Sequence, residues 1–227
     1  MSVRDWPSGE QPREKLLKKG AAALSDAEIL AIFLRTGMKG KSVLDLAREL
    51  LSEFGSLRRI LSAPSDEFCS KPGLGLVKYV QLQAALELGR RYLYEDLLQN
   101  CALSDPEATY RYLMFRMRDE VQEIFVCLFL DSQHRVLCCE EMSRGTIDQA
   151  SVYPREIVRR VLHHNAASVI LSHNHPGGLA KPSLADREVT QRIQAALDLV
   201  GAKVLDHIII GEKDRFSFAE AGLLRKM

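Results

Sequence analysis

Two histidines one residue apart, His173 and His175, and the later Asp186 are the side chains in this sequence best suited to hold a metal ion. Imidazole nitrogen and carboxylate oxygen are ligands that zinc prefers, and a catalytic zinc keeps three protein ligands and one open position. The apolar run 167–171 predicts a buried strand that leads directly into His173. Because side chains two apart on an extended backbone point the same way, His173 and His175 can face one ion while Asn174 turns away. The pattern predicts one zinc ion per chain.

The segment between His175 and Asp186 is rich in proline and glycine, which predicts a loop that ends where a helix opens near Leu184. Ser183 and Asp186 also match the N-cap and third position of a capping box, an arrangement that needs no metal. The two interpretations are compatible, because a carboxylate held at a helix start is oriented by the same backbone that would aim it at an ion. The alternative without metal, a helix cap beside solvated histidines, stays open on the residues alone.

The spacing His-x-His-x7-Ser-x-x-Asp resembles that of the JAMM (MPN-type) metalloproteases. The chain also resembles the bacterial RadC family from about Pro12 to its last residue. Four further segments carry that resemblance, namely residues 12–17, 23–28, 33–37 and 153–157. In that family the histidine loop usually reads His-Asn-His-Pro-Ser-Gly, whereas Gly177 stands here where the serine is usual. The ligand positions are unchanged, and the difference bears only on the stiffness of the loop and on any hydrogen bond that the serine makes.

Hydrolysis also needs a general base, which should be a carboxylate within reach of the attacking water that is not itself a ligand. From the residues alone, Glu120, Glu140 and Glu141 are as eligible as Glu123. The resemblance implies Glu123, because JAMM proteins place a glutamate at the start of a strand well upstream of the histidines. It also implies that the Ser183 hydroxyl donates to the developing oxyanion.

The expected fold class is α+β, with two domains that differ in secondary structure. Residues 1–95 predict a helical domain, in which Ser25 and Ser42 open helices, and a polar bridge near 94–102 ends it. Residues 104–107 predict a further helix capped by Ser104. From Glu123 onward, a hairpin over 124–139, a helix near 157–162, the strand into His173, a helix over 189–200 and a strand over 204–210 predict a mixed sheet with flanking helices. The resemblance implies that residues 104–227 form a JAMM/MPN domain, which is cytidine-deaminase-like in architecture.

Residues 71–78 resemble a helix-hairpin-helix element. Pro72, Gly73 and Gly75 would let backbone N–H groups at a helix start approach a phosphate, with Lys78 adding positive charge. This predicts nucleic-acid contact through the N-terminal domain. The alternative is two packed helices joined by a tight glycine turn that serves as scaffold or contacts protein.

The composition excludes several classes of protein. Thirty-one basic residues against 30 acidic ones leave a net charge of +1, which argues against a dedicated nucleic-acid coat or a membrane-surface protein. The N-terminus lacks the apolar core of a secretory signal, so a cytoplasmic protein without membrane contact is expected. An odd number of cysteines without a Cys-x-x-Cys pair predicts reduced thiols. These cysteines are Cys69, Cys101, Cys127, Cys138 and Cys139.

Together these features predict a zinc-dependent hydrolase that cleaves an amide, peptide or isopeptide bond in a protein or peptide substrate. The alternative is a DNA-repair or recombination accessory that binds nucleic acid through the hairpin and uses its metal for structure only. An inert scaffold of the metal-free MPN kind is disfavoured, since the three ligands are present. His207, within an apolar run, is predicted to be a buried sheet histidine rather than a fourth ligand.

Overall fold

The structure is a computed structural model that describes residues 11–99, 102, 105–145 and 152–225. It divides into two compact units, Met1–Gly89 and Arg90–Met227. The described part of the first unit is built of helices, and the second unit holds a mixed sheet flanked by helices. The expected α+β fold class is confirmed.

Helices make up the described part of the first unit. They are α1 Pro12–Lys19, α2 Asp26–Leu34, α3 Val43–Phe54, α4 Leu57–Ser62, α5 Ser65–Cys69 and the first part of α6 Leu76–Gln99, with a short 3-10 turn at Ala21–Ala23. Ser25 and Ser42 cap α2 and α3, each in a capping box with the acidic residue three positions later. The apolar faces of these helices, including Leu30, Leu50 and Phe68, form the core of this unit.

Helix α6 continues to Gln99, so the prediction of a polar bridge from residue 94 is wrong for residues 94–99. The reason is the apolar spacing of Leu93 and Leu97, one helical turn apart, which both pack into the core of the second unit. The predicted cap Ser104 lies outside the described residues. Asp105 caps the next helix, because its carboxylate accepts a hydrogen bond of 3.1 Å from the Ala108 amide.

The second unit is a five-stranded sheet in the order β2-β1-β3-β4-β5. Its strands are β1 Glu123–Leu130, β2 Val136–Gly145, β3 Ser168–Asn174, β4 Lys203–Ile210 and β5 Arg215–Ser217, and its further helices are α7 Pro106–Met117, α8 Pro154–His164 and α9 Leu184–Asp198. Strands β3 and β4 are parallel and are joined by the crossover through α9, whereas the other neighbours are antiparallel. This confirms the predicted hairpin and mixed sheet.

Side chains alternate across the sheet and fill a core on each face. One face packs with α7 and contains Ile124, Val126 and Ile170, and the other packs with α8 and α9 and contains Phe125, Cys127 and Leu171. Strand β3 lies between β1 and β4. Its last residues are therefore in the interior of the sheet, next to the N-terminus of α9.

Cys69, Cys127, Cys138 and Cys139 are free thiols, as predicted, and Cys101 lies outside the described residues. No helix in the described part of the chain is long and apolar enough to cross a membrane.

Candidate metal centre

The structure brings His173, His175 and Asp186 together at the end of β3. Nε2 of His173 lies 3.0 Å from Nε2 of His175 and 3.2 Å from Oδ1 of Asp186. Nε2 of His175 lies 3.6 Å from Oδ2 of Asp186. The His173 side chain is buried, whereas that of His175 is 24% exposed, so the group is reached from the His175 side.

The spacing and chemistry of these atoms fit a metal ion. With zinc–nitrogen distances of about 2.0–2.1 Å, two ligand atoms on a tetrahedral ion lie roughly 3.3 Å apart, close to the separations observed. Nδ1 of His175 lies 3.1 Å from the Leu179 carbonyl oxygen, which can only accept a hydrogen bond. Nδ1 therefore carries the hydrogen of the neutral ring, which leaves the lone pair of Nε2 available to a metal ion. These three residues form a group that could hold a metal ion.

Electrostatics also favour a cation at this position. Burial disfavours the charged carboxylate of Asp186, but the imidazoles of His173 and His175, when they carry protons, outweigh burial and hold the pKa of Asp186 well below its usual range. The Asp186 carboxylate in turn raises the pKa of His175, against the opposing effect of burial. Asp186 is therefore an anion that needs a positive charge nearby, which either a protonated histidine or a metal ion supplies.

Ser183 caps α9 as the sequence predicts, and the same contacts aim Asp186. The Ser183 amide and hydroxyl both donate to Oδ2 of Asp186 at 2.7 Å, and the hydroxyl accepts from the Asp186 amide at 3.1 Å. The hydrogen bonds that form the capping box thus also orient the proposed ligand. The role of Ser183 as an oxyanion donor stays a prediction.

The loop after His175 is held by the turn between β4 and β5. The His175 amide donates to the Ile210 carbonyl at 2.9 Å, and the Ala180 amide donates to the Asp214 carboxylate at 3.1 Å. Gly177 has a φ of +63°, a left-handed conformation that would strain a serine at this position by about 1 kcal/mol. The glycine therefore fits this loop without strain.

Glu123 lies on the same face of the sheet as His173. It is the first residue of β1, and its neighbour two positions on, Phe125, is directly opposite His173 in the antiparallel pair. Burial raises the pKa of the Glu123 carboxyl, although the charges of His173 and His175 act in the opposite direction. Within the described part of the chain, no hydrogen bond or ion pair to this carboxylate is present. Glu123 is therefore a half-buried carboxylate free to exchange a proton.

The three other candidate bases are engaged in ion pairs. Arg144 donates to Glu120 at 2.7 Å and to Glu141 at 2.8 Å. Glu140 accepts hydrogen bonds from Arg160 and lies 2.8 Å from Nε2 of His164. A general base that is held by a guanidinium has little tendency to take a proton, so the geometry favours Glu123.

A second group of metal-ligating types is formed by Cys138, Glu140 and His164. Here the Arg160 guanidinium already supplies the positive charge, because it binds Glu140 and its Nη2 lies 3.2 Å from Nε2 of His164. Burial and the Glu140 charge also raise the pKa of the Cys138 thiol to about 11, which disfavours the thiolate that a metal would need. Within the described part of the chain, His173, His175 and Asp186 are therefore the better candidate ligands for a metal ion.

Comparison with known proteins shows two family models that match this chain. Residues 103–223 match the RadC-like JAB domain model, and residues 3–80 match the model of the UPF0758 N-terminal domain. The chain belongs to the RadC-like JAB domain family. The resemblance to RadC proteins seen in the sequence is thereby confirmed.

Relatives match this chain over its whole length. A UPF0758 protein of Nitrosococcus oceani is 60% identical over 224 residues, which cover 99% of this chain and 100% of the relative. A UPF0758 protein of Stutzerimonas stutzeri is 60% identical over 222 residues, 98% of this chain and 99% of that relative. These names state no activity.

Asn174, between the two histidines, makes buried contacts that the sequence did not predict. Its side chain is buried on the opposite face, where Oδ1 accepts from the Ile124 amide at 2.8 Å and Nδ2 donates to the carbonyls of Gln122 at 3.1 Å and Glu120 at 3.4 Å. These bonds flank Glu123 in sequence, so Asn174 ties the strand that carries the proposed base to the proposed ligands. A polar residue at the end of an apolar strand was the only signal in the sequence.

Replacing Asn174 by alanine is expected to lower the free energy of unfolding by about 1–3 kcal/mol, because the Ile124 N–H is left buried without its partner. Urea denaturation of the mutant and the unaltered protein, both in excess chelator, measures this difference without any contribution from metal binding. Gln194→Ala is the matched control, since this buried amide makes a long contact of 3.4 Å with the Arg225 amide. Equal stability of the Asn174 and Gln194 variants would contradict the assignment.

His207 is a fully buried sheet histidine, as predicted. Its Nε2 lies 2.8 Å from Nδ1 of His173, on the side of that ring away from Asp186. Burial lowers the pKa of His207 well below its ordinary value, and the charge of His173 acts in the same direction. His207 therefore lies behind the proposed ligand and does not join the ligand group.

The residues predicted to contact nucleic acid lie in the turn between α5 and α6 and, for Lys78, in the first turn of α6. The Lys78 amine donates to the carbonyls of Thr36 at 2.9 Å and Gly73 at 2.7 Å, and burial lowers its pKa. Gly73 has a φ of +77°, as a tight turn requires, whereas Gly75 borders open space and Pro72 is exposed. The Lys78 contacts favour a structural role for that side chain.

Nucleic-acid contact by this turn therefore stays a prediction. Its test is binding of the full chain to duplex DNA at low salt, with affinity that falls steeply as salt is added. Gly75→Val is the informative variant, because a side chain there meets no atom within 4 Å in the fold yet would block a phosphate. Unchanged binding by this variant would remove the proposed contact.

Proposed function

We propose that this protein is a zinc-dependent hydrolase that cleaves an amide, peptide or isopeptide bond in a protein or peptide substrate. The observation that carries the proposal is the convergence of His173, His175 and Asp186 on one point, with Glu123, which has no hydrogen-bond or ion-pair partner among the described residues, on the same face of the sheet. Three such ligands leave one position open, which is the arrangement of catalytic rather than structural zinc sites.

His173, His175 and Asp186 would hold the ion. Zinc bound there would polarise a water molecule and the substrate carbonyl group, the chemistry that it supplies in hydrolases generally. Glu123 takes the proton that the attacking water loses and passes it to the leaving nitrogen. Burial, which raises the pKa of Glu123, brings the carboxyl closer to the operating pH and so suits both halves of this transfer.

Ser183 is proposed to donate its hydroxyl to the oxyanion that develops on the substrate carbonyl. Its hydroxyl now donates to Asp186, but the Ser183 amide makes a second bond to the same carboxylate oxygen at 2.7 Å. The amide can therefore hold Asp186 in place while the hydroxyl turns towards substrate. Donors of this kind are worth about 10²–10³ in kcat where they have been removed from other enzymes.

The proposal is tested by incubating the full-length, zinc-loaded protein with a mixed-sequence peptide library and with isopeptide-linked peptides. Mass spectrometry should find new termini that disappear when zinc is removed by a chelator and return when zinc is added back. A protein that carries one zinc per chain and cleaves none of these substrates would favour the alternative, in which the metal serves structure only.

A further inference from the structure

A line of buried hydrogen-bonding groups runs behind the proposed ligand His173. Nδ1 of His173 lies 2.8 Å from Nε2 of His207, and Nδ1 of His207 lies 2.6 Å from the hydroxyl oxygen of Thr190. That hydroxyl donates to the backbone carbonyl of Asp186, one helical turn earlier on α9. The three side chains are each at most 1% exposed, so water does not compete with these contacts.

The direction of every hydrogen bond in this line follows from its last acceptor, the backbone carbonyl of Asp186. The Asp186 carbonyl oxygen can only accept, so the single hydrogen of the Thr190 hydroxyl points to it. The Thr190 oxygen must then accept from His207, whose hydrogen is therefore on Nδ1. A neutral imidazole with its hydrogen on Nδ1 is an acceptor at Nε2.

The surroundings of His207 keep its ring neutral. The ring is fully buried, stacks on Phe218 with centroids 4.9 Å apart and contacts Phe125 at 5.5 Å. Its two hydrogen-bond partners, His173 and Thr190, carry no negative charge. A buried imidazole without an anionic partner favours the uncharged form.

We propose that Thr190 and His207 are positioning residues that hold His173 with its hydrogen on Nδ1 and its lone pair on Nε2, the atom that would bind the metal. Nε2 of His207 can only accept, so Nδ1 of His173 must donate to it. Neutral histidine in water favours the opposite arrangement, with the hydrogen on Nε2, which would block the ligand atom. This inference rests on the proposed metal site.

One helix, α9, positions two of the proposed ligands, Asp186 directly and His173 through His207. Helix α9 presents Asp186 to the ion from its first turn and Thr190 to His207 from its second. A change in the position of α9 would therefore alter the carboxylate ligand and the histidine ligand together. Outer groups of this kind typically contribute about 10- to 100-fold in metal affinity.

The first test is the zinc affinity of full-length variants, measured by competition with a chromophoric chelator. Thr190→Val keeps the shape of the side chain and removes its oxygen, so zinc should bind about 10- to 100-fold more weakly. Thr190→Ser keeps the hydroxyl and should stay close to the unaltered protein. His207→Phe keeps an aromatic ring against Phe218 and should weaken zinc binding as Thr190→Val does.

The second test reads the tautomers directly in the unaltered protein, so it does not depend on how a variant folds. Long-range nitrogen–proton NMR spectra of the histidine rings should show the hydrogen on Nδ1 for both His207 and His173. A hydrogen on Nε2 of His207 would overturn the inference, as would zinc affinity unchanged in Thr190→Val. If the unaltered protein binds no zinc, the proposed function fails instead. The NMR result still decides which ring nitrogen of His173 and His207 carries the hydrogen.

Discussion

Replacement of Glu123 by glutamine is expected to lower hydrolysis by about 10²–10⁴-fold while zinc stays bound, because the amide cannot accept the proton that a general base removes. Glutamine has nearly the same shape as glutamate, and Glu123 is outside the ligand group, so neither fold nor metal content should change. Turnover is measured on any peptide that the unaltered protein cleaves, and zinc by elemental analysis of the same samples.

Glu141→Gln is the matched control for this prediction. Glu141 also lies in the hairpin, but it is paired with Arg144, so its loss should leave turnover within a few-fold of the unaltered protein. If zinc-replete Glu123→Gln keeps full turnover, the base lies elsewhere. If Glu141→Gln loses as much as Glu123→Gln, the effect belongs to the hairpin rather than to proton transfer.

The double variant His173→Ala/His175→Ala should carry almost no zinc, whereas the unaltered protein should carry about one ion per chain. Asp186 alone would remain of the three ligands, and a single carboxylate holds zinc poorly. Elemental analysis after purification without chelator measures the content, and circular dichroism establishes that the variant is folded.

His164→Ala is the control for adventitious binding, because His164 belongs to the second group of metal-ligating types. The Arg160 guanidinium occupies that group, so His164→Ala should keep its zinc. Stoichiometric zinc in the double variant, together with its loss in His164→Ala, would move the metal centre to the group formed with Cys138 and Glu140.

Local patterns were enough to predict the strand, loop and helix that carry the ligands. The alternation of His173 and His175 and the capping box of Ser183 are short-range features, and the structure reproduces both. The end of helix α6 was harder to predict. Its residues are a mixture of polar side chains with Leu93 and Leu97, and this mixture favours a helix only when a partner covers the leucines. Tertiary packing decided that element.

Contacts between residues distant in sequence could not be predicted in the same way. The choice of Glu123 over Glu140 depends on where folding places Arg160, and the residues alone left both open. The bond between Asn174 and Ile124 joins positions 50 apart, and that between Thr190 and His207 joins positions 17 apart on different elements. A single sequence carries no periodicity from which such pairs follow.

The three proposed ligands all come from one short stretch of chain, from the end of β3 to the first turn of α9. The entropy lost when a loop is closed grows with its length, so an ion that bridges this loop constrains the unfolded chain less than pairing between distant strands does. The sheet around it is instead secured by pairing between strands far apart in sequence. Zinc would thus enter a scaffold that has already folded, and metal exchange need not involve unfolding of the domain.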